Sequence, residues 1–156
     1  MNGADITVRR ADIADAPELS RLIHKLAEYE KMSDKCTATP ESVAAMMKEP
    51  NGLLGIIAEA DGKAVGMAVY SIYRLATFSG KRVLYIEDIY VEENFRGNGL
   101  GRKLFDEIIS TAKELECIKI EWKCLSWNTP AQKFYHSIGG SADPEWLTYT
   151  LDLRKD

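Results

Sequence analysis

The sequence predicts an α/β domain of the mixed α+β kind, in which one sheet is antiparallel over most of its width and parallel at one place. Three observations carry this. Apolar residues between 15 and 30 recur at helical spacing; residues 53–91 hold three alternating stretches separated by two turn signals; and a strand, an amphipathic helix and another strand follow between 84 and 125. The last stretch has no room for a return strand, so its two strands are predicted parallel, joined by a right-handed crossover.

Residues 5–10 (DITVRR) alternate as a first strand. In 15–30 (DAPELSRLIHKLAEYE), Leu19, Leu22, Ile23, Leu26 and Tyr29 share one helical face, and Pro17 is compatible with the first turn. Thr39, Pro40 and Glu41 give a cap, a proline and an acid in the order that opens a helix; SVAAMMK continues it and Pro50-Asn51-Gly52 ends it. LLGIIAEA and KAVGMAVYSIY flank the hairpin signal Asp61-Gly62, and RVLYIEDIYV follows Ser79-Gly80. After FRGNGLG, Leu104, Phe105, Ile108, Ile109, Ala112 and Leu115 line a third helix, and CIKIEWKCL alternates as a fifth strand. Residues 129–137 (TPAQKFYHS) form a short helix opened by Thr129 and Pro130 and stopped at Gly139-Gly140. A last strand, 146–153 (WLTYTLDL), completes the order β-α-α-β-β-β-α-β-α-β.

With 156 residues, 46% of them hydrophobic, and no repeat or linker, the chain is expected to form a single domain over 1–156. A net charge of -4 and a pI near 5.3 argue against nucleic acid as a partner, leaving Arg96, Arg102 and Lys103 as a local basic patch. No apolar run approaches the ~20 residues that span a bilayer, and MNGADITVRR lacks a signal peptide's apolar core. No membrane partner and a cytoplasmic location are expected. Cys36, Cys117 and Cys124 form an odd set without CxxC, and His24 and His136 are the only imidazoles. Reduced core thiols are expected, with no metal site.

FRGNGLGRKL (95–104) is the densest functional signal. It is not a Walker A loop, because Arg102 stands where the second glycine is needed and no Ser or Thr follows Lys103; nor is it a dinucleotide fingerprint, because its glycines fall at 97, 99 and 101. What the pattern supports is a run of main-chain NH groups from Arg96 to Gly101 converging at a helix start, an anion nest suited to a pyrophosphate.

Arg96-x-x-Gly99-x-Gly101 after LYIEDIYV resembles the acetyl-CoA signature of the GNAT family of N-acetyltransferases, which has the acyl-CoA N-acyltransferase fold. LAEYEKM (26–32), LYIEDIYV (84–91), FRGNGLG (95–101) and WNTPAQKFY (127–135) extend the resemblance over nearly the full chain, toward the branch acetylating diamines, polyamines and thialysine. The resemblance implies that main-chain groups of Ile89 and Val91 meet the acetyl and pantetheine arm of acetyl-CoA. It also implies that Arg96, Gly97, Asn98, Gly99, Leu100, Gly101 and Arg102 wrap the pyrophosphate, and that Asn128, Phe134 and Tyr135 flank the arm and thioester. It further implies a homodimer.

The chemistry sets its own demands. An alkylammonium titrates near ~10.4, so acetyl transfer to an amine needs a base or a water leading to one; the departing thiolate, from a thiol of pKa ~8.5, needs an acid. The resemblance assigns the base to Glu87 and the acid to Tyr135. On a regular strand Glu87 and Asp88 face opposite ways, so one of them alone looks into the cleft. Tyr29, Glu30 and Glu87 suit a cationic amine, although EYEK is also an ordinary solvated helix end. Phe134 and Tyr135 taken alone are ordinary core aromatics, Trp122 and Trp127 suit packing, and Glu92 and Glu93 suit a solvated turn. The segment 71–82 and Glu121, which stands where a polyamine enzyme carries histidine, depart from the resembled pattern. The expected activity is acetyl-CoA-dependent transfer to a small-molecule primary amine by direct attack in a ternary complex. Acetylation of a protein N-terminus or lysine, a non-catalytic CoA-binding module and a homodimerising scaffold are the competing readings.

Overall fold

The structure, a computed structural model, describes residues 5–154. The chain divides into two compact units, Met1–Lys123 and Cys124–Asp156. The first holds strands β1 (Ile6–Arg10), β2 (Leu54–Ala60), β3 (Lys63–Leu75), β4 (Lys81–Val91) and β5 (Cys117–Trp122), with helices α1 (Ala16–Tyr29), α2 (Pro40–Lys48) and α3 (Leu100–Glu114). The sheet order is β1-β2-β3-β4-β5, antiparallel throughout except for the parallel β4–β5 pair. The mixed sheet and its parallel pair are those the sequence predicts.

Local chemistry explains the turns. Asp61 and Gly62 join β2 to β3 with φ of 51° and 80°, the left-handed pair that a two-residue hairpin requires. Thr39 opens α2 through a reciprocal cap: its hydroxyl accepts from Ser42 N at 3.0 Å, while Ser42 Oγ accepts from Thr39 N at 2.9 Å. Asp12 and Asp15 form a similar box before α1, and Arg9 donates to both Asp15 (2.8 Å) and Glu59 (2.9 Å), tying β1 to β2 and to the helix entry.

Two apolar layers result. Leu19, Leu22 and Leu26 of α1 and Val43 of α2 pack with Ile57, Met67 and Val69 on one face of the sheet. Strand alternation turns Ile56, Ala68, Leu84 and Ile86 away from that layer, and α3, which packs on the sheet, buries Leu104, Phe105 and Ile108. Phe105 meets Trp122 of β5 edge-on at 5.3 Å, as expected for a packing tryptophan.

The second unit carries α4 (Thr129–Ser137). Its cap is Asn128 rather than the threonine read as its opening residue: the Asn128 side chain accepts from Ala131 N at 3.3 Å, making Thr129 the first helical residue. The expected last strand is corrected as well. Residues 146–153 join no ladder among the described residues, and Trp146, Leu147, Tyr149, Leu151 and Leu153 are 78–88% exposed. Alternation marks which side chains share a face but supplies no hydrogen-bond partner, and without one a segment is not a strand.

Leu22 is fully buried between α1 and the sheet. Leu22→Ala should destabilise the protein by about 2–5 kcal/mol, measured as a lowered urea midpoint at unchanged slope.

Candidate functional site

The site is built on β4. Its ladder to β5 ends at Ile86–Trp122, so on that side Glu87–Val91 have no strand partner among the described residues. The main-chain groups of Ile89 and Val91 therefore lie along an open edge, the arrangement by which an extended ligand adds itself to a sheet. Val91 O already accepts from Arg96 Nε at 2.8 Å.

Past Val91 the chain turns through Glu93–Phe95 and reaches α3 by way of Arg96, Gly97, Asn98 and Gly99. Gly97 and Gly99 have φ of 81° and 76°, and Gly99 is the cap residue of α3. No side chain caps this helix, no acid stands in its first turn, and its first internal bond runs from Lys103 N to Gly99 O at 3.0 Å. The NH groups of Leu100, Gly101 and Arg102 are thus left without partners inside the helix, at its positive end. A helix start of this kind suits an anion. Gly101 differs from the other two glycines, since it sits within the first turn rather than at a left-handed position. Arg102 lies on the exposed side, paired with Asp106 at 3.4 Å.

Carboxylates gather at the other end of the open edge. Val69 pairs with Asp88 and Tyr70 with Ile86, so Glu87 is the extra residue of a β-bulge. The strand is not regular at this point, so the alternation that would divide Glu87 from Asp88 does not apply there. Asp88 shares the α1 side of the sheet with Val69 and Tyr90, and the charge of Glu87 acts on it there. Burial raises the Glu87 carboxyl above the usual range. Burial and then the Glu87 charge raise Asp88; burial and then the Asp88 charge raise Glu30. Tyr85 is raised by burial and by Glu87, Asp88 and Glu121. Asp88 thus stands in the field of Glu87, and Glu30 in the field of Asp88.

Tyr29 and Glu30 are placed there by the end of α1. Arg21, in the middle of that helix, donates to Glu92 at 2.6 Å and to Ala64 O at 2.8 Å, holding α1 against the end of β4. Glu92 is thus an ion-pair partner and not a solvated turn residue. The Arg96 guanidinium lies 5.0 Å from the ring centre of Tyr29 and 5.2 Å from that of Tyr90. At the β5 edge Glu121 accepts from the Tyr73 hydroxyl and pairs with Lys119 at 3.1 Å, and Tyr73 is pushed up to about 12 by burial and by Glu121.

Asn128, Phe134 and Tyr135 belong to the second unit. Asn128 is buried as the α4 cap, and the Phe134 and Tyr135 rings are 5.8 Å apart at 58°. Trp127 is about half covered, at 46% exposure. The three cysteines are free but not core residues: Cys36 and Cys117 are half-buried and Cys124 is exposed. Cys117 falls on β5, the edge strand of the sheet. Among the described residues, no three His, Cys, Asp or Glu side chains are grouped to hold a metal ion.

A methyl group at Gly99 meets nothing within 4 Å, so Gly99→Ala carries the strain of φ +76° alone. It should cost about 1–2 kcal/mol in an unfolding titration. Asp88 is raised in the folded protein, so its ionised form penalises folding above that pKa, and the penalty is relieved as pH falls through it. Asp88→Asn should therefore melt higher than wild type at pH 7, with the difference shrinking as the pH enters the carboxylate range.

Comparison with known proteins agrees with this geometry. Residues 19–139 match the Acetyltransferase (GNAT) family. The chain is 33% identical over 144 residues to the thialysine N-epsilon-acetyltransferase of Bos taurus, covering 87% of this chain and 84% of that one. It is 31% identical over 156 residues to the spermidine/spermine N(1)-acetyltransferase-like protein 1 of Homo sapiens, covering 93% of this chain but 22% of that longer one. The crystal structure of an aminoglycoside acetyltransferase from an uncultured soil metagenomic sample superposes with a TM-score of 0.82 at 20% identity, covering 95% of this chain and 96% of that one, a likeness of fold. An open β4 edge leading into an uncapped, glycine-started helix thus coincides with the family match, and the chain belongs to the GNAT family of N-acetyltransferases.

Proposed function

We propose that the protein transfers the acetyl group of acetyl-CoA to a primary amine of a small cationic molecule, a diamine, a polyamine or a lysine-like amino acid. The observation that carries this reading is the continuity of β4: an open main-chain edge, two carboxylates at its bulge and an uncapped helix start at its exit. The uncapped NH groups at Leu100–Arg102 suit the pyrophosphate, and the edge at Ile89 and Val91 suits the pantetheine amides. The names of the bovine and human relatives supply the acceptor class, thialysine and polyamine-like amines.

In this reading the ammonium is drawn to Glu30, Glu87 and Asp88, with Tyr29 offering an aromatic face. Glu87, directly or through a water, takes one proton. The freed nitrogen lone pair attacks the thioester carbonyl, the C–S bond breaks as the C–N bond forms, the CoA sulfur leaves with a proton from Tyr135, and the second proton that the nitrogen loses on becoming an amide returns to the Tyr135 oxygen through solvent. A raised carboxyl pKa makes Glu87 a stronger base than a glutamate at its ordinary value. Both substrates bind before reaction, so the acetyl group passes directly from sulfur to nitrogen. The assembly proposed is a homodimer, supported by the exposed apolar side chains of 146–153.

Release of free CoA thiol, followed across polyamines, lysine analogues and peptides, tests the reading. Turnover is expected on the small amines, and Tyr135→Phe should lower kcat by about 10²-fold. Absence of turnover on every amine would overturn the assignment.

A further inference from the structure

We propose that Arg96 is a positioning residue for the amine acceptor: its guanidinium, set between Tyr29 and Tyr90, holds the last turn of α1, with Tyr29 and Glu30, against the end of β4. This rests on the acetyl-transfer reading and goes beyond it, because the position of Arg96 in the glycine loop points only to the pyrophosphate. The side chain turns the other way. Its Nε donates to Val91 O at 2.8 Å, and its guanidinium carbon lies 5.0 Å and 5.2 Å from the Tyr29 and Tyr90 ring centres, both inside the range of cation–π attraction.

The three contacts join three parts of the site. Val91 ends the open edge of β4; Tyr90 shares the face of Asp88 and packs on the α1–α2 layer; Tyr29 is the last residue of α1. The helix stops there because Lys31 adopts φ 61°, so Tyr29 and Glu30 sit where the chain leaves regular structure. Arg21 anchors the same helix about two turns earlier, leaving its end to be held from elsewhere. A planar guanidinium can donate sideways to a carbonyl while presenting its faces to rings, which a lysine ammonium cannot reproduce. Arg96 begins the loop assigned to the donor, so one side chain links the donor loop to the acceptor wall.

The test uses Arg96→Lys, Tyr90→Leu and the double variant, with Tyr90→Phe as the variant that keeps the ring. Amine KM is measured at saturating acetyl-CoA on the best acceptor, and acetyl-CoA affinity by calorimetry. Arg96→Lys should raise the amine KM about tenfold while changing acetyl-CoA affinity by less than about threefold. The double variant should be no worse than the poorer single, and Tyr90→Phe should recover most of the loss caused by Tyr90→Leu. Additive losses, or a tenfold weaker hold on acetyl-CoA with amine KM unchanged, would overturn the proposal and leave the transfer reading standing. A wild-type protein that turns over no amine would overturn both.

Discussion

The site depends on β4 outlasting its neighbour. Up to Ile86 the strand is paired on both sides; from Glu87 onward it keeps β3 and loses β5. Backbone NH and C=O groups cannot be left dry without partners, so a strand that stays ordered past the end of its ladder invites water or a ligand to complete it. The remainder of the unit holds that half-paired strand straight. The α1–α2 layer supports one face, Arg21 ties α1 to Glu92, and the turn after Val91 delivers the chain to α3.

The bulge at Glu87 falls where the second partner is lost. A regular strand would have divided the two acids between the faces of the sheet. One additional residue instead leaves Glu87 and Asp88 adjacent where the ladder opens, and the Glu87 charge raises Asp88 while the Asp88 charge raises Glu30. Such an arrangement is poor for stability and well suited to a cation, the kind of local conflict expected where function outweighs packing.

Much of this was legible in the residues. Helical spacing in Leu19, Leu22 and Leu26, Asp61-Gly62 and the strand-helix-strand run from Val83 to Trp122 determined the first unit, because period and turn chemistry are local. Gly97 and Gly99 marked the anion loop because only left-handed backbone explains them. What escaped was relational. The Glu87 bulge depends on how β3 registers with β4, the direction of the Arg96 side chain depends on two tyrosines from different elements, and Asn128 caps α4 through a side-chain bond that a threonine at 129 obscured. Residues 146–153 carry a strand's alternation, yet pairing is a property of two segments.

The parallel pair has a kinetic side. β2, β3 and β4 follow one another through short connections, so their contacts form with little loop-closure entropy, whereas β5 reaches β4 only after 25 intervening residues that include α3. That order suggests a nucleus in the β2–β4 meander, with β5 docking after α3 has formed. The half of β4 assigned to the donor would then be the last part of the sheet's geometry to be defined, since where the edge opens is settled only when β5 has arrived.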